Sequence, residues 1–313
     1  MKRFAACAVF TLLALVAAPA IAADRVTVML DWFINPDHGP LFVAMERGEF
    51  KSRGLEVKLI APADPNDPPK LVAAGHADLA ISYQPQLHLQ VAEGLPLARI
   101  GTLVATPLAS LVVLDDGPVK SIADLKGRKV GFSVGGFEDA LLGAMLTKHG
   151  LALEDVELVN VNFSLSPSLM SGQVDAVIGA YRNFELNQMD IAGRPGRAFF
   201  LEEEGVPAYD ELIIVAKNDR LSDPVFVAFL NAIEAATQFM INHPDEAWQL
   251  FIKGRKDLDD ELNRRAWLDT LPRFALRPAA LDRGRYDRFA EFLKGRGLIR
   301  TIPPVDSYAV ELR

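Results

Sequence analysis

Short apolar runs alternate along most of this chain with stretches whose apolar residues recur every three or four positions. Val26 to Leu30 is the first run. After the turn formers Asn35-Pro36 and Gly39-Pro40, Leu41, Phe42, Met45 and Phe50 resume at helical spacing. Glu56 to Ile60 predicts a second strand, Asp64-Pro65-Asn66-Asp67-Pro68-Pro69 a rigid turn, and Lys70 to Ala74 a helix. Gly75 stops that helix, and a short buried strand ends in Ser82-Tyr83-Gln84-Pro85. Pro85 suits the first turn of the next helix, Gln86 to Glu93. Alternation at this pace predicts βαβ units, an α/β class and a largely parallel sheet.

The segment Gly172 to Tyr181 repeats the order of glycine, linker, aspartate, apolar strand and tyrosine found at Gly75 to Tyr83. The echo suggests two similarly built lobes, each with a tyrosine at a strand end. Lys129 to Ser133 and Val156 to Val161 read as strands, with a helix from Phe137 to His149 after Gly135-Gly136. Two apolar runs, Ala109 to Leu114 and Glu211 to Val215, read as strands crossing between lobes, with hinges near 112 to 116 and 212 to 216. Residues 114–213 then form a second lobe inserted into a first lobe made of 23–113 and 214–313, a two-hinge design suited to closure. Beyond Asp223 the pattern is helical, with Phe226, Phe229, Leu230, Ile233 and Met240 on one face.

Composition narrows the class. Residues 1–22 run from Lys2 and Arg3 through an apolar segment to Ala20-Ile21-Ala22, the order of a secretory signal peptide. Cys7 lies inside it, so the expected mature chain has no cysteine and no thiol chemistry. Cleavage takes two positive charges and no acid from a formal net charge of -8, giving -10. Such a chain is a poor partner for nucleic acid or anionic lipid. With half its residues hydrophobic, it can fill two modest cores. An exported globular protein is expected.

The candidate chemistry lies at strand ends. His38, His76, His88, His149 and His243 show no spacing that sets two ligands on one helix face, so neither a metal nor a cofactor is expected. Gly131-Phe132-Ser133-Val134-Gly135 spells G-x-S-x-G, yet no nucleophilic triad is expected, and Gly131 to Gly136 lacks both the dinucleotide spacing and the P-loop lysine. Gly135 and Gly136 either present free N–H groups at a helix start or simply make a turn. Asp31 to Pro40 marks the end of the first strand, where open α/β sheets bind ligands. One of Trp32 and Phe33 should be a core ring, and Trp32, beside the polar cluster, is the better site residue. Together with Asn35, His38, Tyr83, Gln84, Phe137, Glu138, Tyr181, Asn183, Glu185, Tyr209 and Glu211, it makes a set of aromatics, amides and carboxylates. That set suits a flat, neutral or weakly basic nitrogen heterocycle, because rings stack and carboxylates accept from amino groups. An anion would call for arginine, and only Arg182 is present among these positions.

Asp31-Trp32-Phe33 with Asn35 and His38, the Gly75 to Gln84 segment, Lys126 to Gly131 and Gly172 to Tyr181 resemble the periplasmic substrate-binding proteins of ABC importers. The opening motif is similar to the thiamine-precursor branch, which binds formylaminopyrimidine or related aminomethylpyrimidines. The resemblance implies the type II periplasmic-binding-protein fold, two α/β lobes joined by two hinge strands. It also implies an aminopyrimidine ligand, a membrane permease with its ATPase as partner, and a monomer with no enzymatic step. By that resemblance Trp32 and Tyr83 contact the ring, while Asn35 and His38 bond it from the first lobe. The Gly135 to Glu138 loop and the Tyr181 to Glu185 segment face it from the second, with Glu185 taking the exocyclic amine. Alkanesulfonate, nitrate and riboflavin binders share the scaffold and stand as alternative ligand classes. The superfamily also contains a hydroxymethylpyrimidine phosphate synthase with a lysine four residues before a sacrificed histidine; His88 matches the histidine, but Gln84 holds the lysine's place.

Overall fold

Residues Ala23 to Leu312 are described in a computed structural model, and the expected signal peptide lies outside them. Strands β1 (Asp24–Met29), β2 (Leu55–Ile60), β3 (Leu79–Ser82) and β4 (Leu97–Val104) precede β5 (Ala109–Leu114), β6 (Lys129–Phe132), β7 (Glu157–Asn160), β8 (Ala176–Tyr181) and β9 (Gly196–Phe200); β10 (Leu212–Lys217) follows. Helices α1 (Gly39–Glu46), α2 (Glu49–Ser52), α3 (Pro68–Ala73) and α4 (Gln84–Ala92) belong to the first part of the chain. Next come α5 (Phe137–Lys148), α6 (Leu165–Met170) and α7 (Glu185–Ile191). The chain closes with α8 (Pro224–Asn242), α9 (Pro244–Ile252), α10 (Glu261–Thr270) and α11 (Arg283–Gly295).

The strands form two five-stranded sheets, β2-β1-β3-β10-β4 and β7-β6-β8-β5-β9. Corresponding positions match: β1 and β6 are each flanked by parallel partners, and β10 and β5 each pair antiparallel on both sides. The sheets are therefore mixed, where a largely parallel one was expected, because each receives its fourth strand from a crossing rather than from a βαβ unit.

Those crossings also correct the expected hinges. β5 pairs along its length with β8 and β9, and β10 with β3 and β4. The chain changes sheet at 105–108 and 201–211, before each apolar run rather than within it.

The sequence echo has a structural cause. Asp78 accepts the Thr27 N–H at 2.8 Å, and Asp175 accepts the Lys129 N–H at 3.0 Å. Each aspartate thus ties the start of a central strand, β3 or β8, to its parallel neighbour. The second copy is one residue longer because β8 carries a bulge: Ser110 pairs with Ala180 and Leu111 with Ile178, leaving Gly179 unpaired at φ +86°.

The first lobe's core is largely helical. Phe226, Phe229, Ile233 and Met240 of α8 are buried with Leu41 and Phe42 of α1, and Phe50 stacks on Phe229 at 5.2 Å. α8 is long and apolar enough to cross a membrane by composition, yet here that apolar face fills a core. Fully buried Arg99 donates to the carbonyls of Pro278, Ala279, Ala280 and Val310, fastening the C-terminal segments to β4.

Candidate functional site between the two sheets

Between the two sheets lies a cavity lined by Asp31, Trp32, Asn35, Asp37 and Tyr83 from the first lobe, and by Phe137, Glu138, Leu165, Gly179, Tyr181, Phe184 and Glu185 from the second. Ala109 and Glu211, beside the crossings, complete it, and about 470 Å³ between these residues holds no atoms, part of it open to solvent.

The first-lobe wall is the end of β1. Asp31 accepts from the Tyr83 hydroxyl and pairs with His38 Nε2, each at 2.9 Å. His38 Nδ1 accepts the Asn35 N–H at 3.4 Å, so Nε2–H donates to Asp31. Both nitrogens are used and the ring is fully buried, so His38 positions Asp31 and does not line the cavity. Asn35 lines it, but its side-chain oxygen caps the Asp37 N–H and its nitrogen donates to the Phe33 carbonyl.

Aromatic rings close the cavity from both lobes. Tyr83 stacks on Phe137 at 4.9 Å, and Trp32 meets Phe163 edge-on at 4.6 Å. Phe33 is 40% exposed and packs on Phe184 at 5.8 Å, so neither member of the Trp32-Phe33 pair is an ordinary core ring.

Three glutamates from the second lobe and the crossings are each anchored through Oε2, and Glu211 Oε1 also accepts from the Tyr181 hydroxyl at 3.4 Å. Glu138 Oε2 accepts the Ser133 and Val134 N–H groups, and Glu185 Oε2 accepts the Tyr181 N–H at 2.7 Å. Glu211 Oε2 accepts from the Leu108 and Ala109 N–H groups and the Tyr209 hydroxyl. Burial is the main cause that pushes Glu138 up to about 8, and Glu185 and Glu211 up to about 7. Asp37 is pushed up to about 6, also by burial; its Oδ1 accepts from Asn183 Nδ2 at 2.7 Å and Thr270 Oγ1 at 2.8 Å.

Of the expected site residues, Trp32, Asn35, Tyr83, Phe137, Glu138, Tyr181 and Glu185 are brought together around the cavity. Gln84, Gly135, Gly136, Asn183 and Tyr209 join His38 outside the lining. Gln84 Oε1 accepts the Asp210 N–H, tying α4 to a crossing. The Gly135 N–H donates to Asn66 Oδ1, and Gly136 takes the left-handed turn at φ +92°. Asn183 holds Asp37, and Tyr209 holds Glu211. Phe184 belongs to the Tyr181 to Glu185 segment expected to face the ligand, Asp31 and Asp37 lie in the expected stretch without having been singled out as ligand residues, and Gly179 was not among the expected site residues. The signal for Asp37 was an acid in a tight Pro-Asp-His turn with no lysine or arginine between Arg25 and Arg47.

Arg182 also faces elsewhere. Its guanidinium binds both oxygens of Glu202, at 2.7 and 3.0 Å, and the Leu108 and Ala109 carbonyls. The lining consequently holds five carboxylates and neither lysine nor arginine.

Two α/β lobes joined by two crossings, with a largely enclosed cavity at the carboxyl ends of β1 and β3, define a protein of the periplasmic-binding-protein fold. The alkanesulfonate-binding protein SsuA of Xanthomonas axonopodis superposes with a TM-score of 0.71 over 93% of this chain and 99% of that one, at 16% identity. The NMT1/THI5-like family model matches residues 35–247, and the chain belongs to that family. A Haemophilus influenzae protein named for thiamine biosynthesis is 55% identical, with 94% of each chain covered. The formylaminopyrimidine-binding protein of Halalkalibacterium halodurans is 35% identical over 75% of this chain and 72% of its own. A 4-amino-5-hydroxymethyl-2-methylpyrimidine phosphate synthase of Uromyces fabae is 28% identical over 78% and 75%.

Proposed function

We propose that this protein is the periplasmic solute-binding component of an ABC importer and captures a pyrimidine precursor of thiamine. The observation that carries this reading is the lining: rings from both lobes and five carboxylates, with no cationic side chain. A flat ring fits between Trp32, Tyr83, Phe137 and Tyr181, and Glu185 accepts from its exocyclic amine. The 35% identity to a formylaminopyrimidine-binding protein points the same way. Binding is an equilibrium with closure, and the closed form docks on a permease driven by a separate ATPase.

The same lining argues against a sulfonate or nitrate, whose charge would meet carboxylates while Arg182 stays paired with Glu202. The synthase relatives raise an enzymatic reading. Against it, Gln84 cannot form an imine, and His88 sits in a core pocket with Tyr286, Phe289 and Tyr308 rather than in the cavity. Isothermal titration with formylaminopyrimidine and with an alkanesulfonate tests the proposal. Saturable binding of the pyrimidine alone supports it, and binding of the sulfonate alone overturns the ligand class.

A further inference from the structure

The chain passes between the lobes only at the two crossings, so every other bond between them is made when they come together. Asn66, in the turn between β2 and α3, makes two such bonds with one carboxamide. Its Nδ2 donates to the Ser133 carbonyl at 3.2 Å, and its Oδ1 accepts the Gly135 N–H at 3.0 Å. Both partners are backbone groups of the second lobe, in the loop from β6 into α5, and a backbone group cannot rotate away as a side chain can. The next residues of that loop, Phe137 and Glu138, line the cavity, whereas Asn66 does not. The amide is aimed beforehand. Its own N–H and its Nδ2 each donate to Asp64 Oδ1 at 2.8 Å, and the Asp67 N–H returns to the Asp64 carbonyl at 3.1 Å. Pro65 and the Pro68-Pro69 pair stiffen the turn, so little freedom is lost when the interlobe bonds form.

We propose that Asn66 is a closure latch: it holds the 133–138 loop of the second lobe against the first and sets how slowly the cavity releases its occupant, without touching that occupant. Glu138 Oε2 takes the Ser133 and Val134 N–H groups from within the second lobe, so the loop moves as one piece with the cavity wall it carries. Phe137 stacks on Tyr83 of the first lobe at 4.9 Å, and the latch fixes the loop that brings the two rings together. Release requires the lobes to part, so any bond between them that the protein makes by itself lowers the fraction of time the bound form is open. Asn66 is therefore a positioning residue, and its effect is the same for every ligand the cavity accepts, whichever compound that is.

The test is stopped-flow release of two probes, formylaminopyrimidine and 4-amino-5-hydroxymethyl-2-methylpyrimidine, from the parent protein and from Asn66→Ala. Release of both is expected to quicken about tenfold and by the same factor, as for two neutral hydrogen bonds lost away from the ligand. Amide hydrogen exchange of the ligand-free variant separates a latch from a mere support of the loop. Gly135 should exchange faster, while Ser133 and Val134, held by Glu138, stay as protected as in the parent. Unchanged release overturns the proposal, as do unequal factors for the two probes, which would place Asn66 on the ligand. Loss of protection at Ser133 and Val134 as well overturns it too, because the loop itself would have come apart. If neither probe binds the parent, the pyrimidine reading fails and small-angle scattering of the ligand-free proteins decides the latch: a larger radius of gyration in Asn66→Ala supports it, and an equal one overturns it.

Discussion

Glu211 accepts the Leu108 backbone N–H at 2.6 Å, tying the segment by which the chain returns to its first sheet to the segment by which it left. The same oxygen takes the Ala109 N–H and the Tyr209 hydroxyl, and Oε1 takes the Tyr181 hydroxyl, so one carboxyl satisfies four donors at the junction of the lobes. Glu211→Ala leaves those buried donors unpaired and should lower the unfolding free energy by about 2–3 kcal/mol. Glu211→Gln keeps an acceptor there and should cost about 1 kcal/mol or less. Urea unfolding of the two variants checks the ordering, and equal losses would show that the carboxyl's placement is not what holds the crossings.

A bulge residue shapes the second-lobe wall. A Cβ at Gly179 would lie 2.3 Å from Glu138 Oε1, and the backbone there is left-handed at φ +86°. Gly179→Ala therefore strains β8 and displaces the Glu138 carboxyl into the ligand's space. Ligand affinity should fall at least about tenfold, with a loss of stability of about 1 kcal/mol or more. Calorimetric titration beside a melting curve checks both. Unchanged affinity would mean that Glu138 moves away from the cavity without cost.

The distribution of site residues explains what the sequence could disclose. Strand ends, turns and the Gly-Asp-Tyr echo come from local spacing, and these located β1, β3 and β8 and most of the cavity-facing residues. What spacing does not carry is which polar groups are already satisfied. His38, Asn183 and Tyr209 look like ligand donors in one dimension, yet in the fold they serve Asp31, Asp37 and Glu211. The crossings were misplaced for a similar reason: an apolar run looks the same whether it spans two lobes or lies wholly in one. Pro107, which interrupts the apolar residues between β4 and β5, was the available marker. The extra residue in the second echo was legible as a length difference, but its meaning as a bulge required the pairing register.

Rings meeting across the cleft should act mainly on ligand capture. Trp32 contacts Phe163 of the opposite lobe, and Tyr83 contacts Phe137. Trp32→Ala removes a ring from the cavity as well as an interlobe contact, and should weaken ligand binding by about 1 kcal/mol or more. Glu185→Gln, which removes the carboxylate proposed to accept from the exocyclic amine, should cost a similar amount. Titrations compare each with the parent protein, and a Trp32→Ala protein that binds as the parent does would remove that ring from the site.

Four of the cavity's carboxyls make stability depend on pH in an unusual direction. Burial pushes Asp37 up to about 6, Glu185 and Glu211 to about 7, and Glu138 to about 8. Each keeps its proton in the folded chain at pH values where the unfolded chain has released it. The stability they contribute is complete below the ordinary carboxyl range and is lost as pH rises through the raised values. His88 acts the other way: burial lowers it to about 3, so its contribution grows with pH until the unfolded imidazole has titrated near 6.5. From about pH 6.5 to about pH 8 only the glutamates remain in play, and the melting temperature of the ligand-free protein should fall steadily. Glu138→Gln should flatten the upper part of that fall, since Glu138 titrates last. A saturating ligand that donates to these carboxylates should reverse the trend, because it binds their charged forms. Scanning calorimetry across this interval, with and without ligand, decides the matter. A flat or rising ligand-free profile would mean that the cleft opens and hydrates its carboxylates before they ionise.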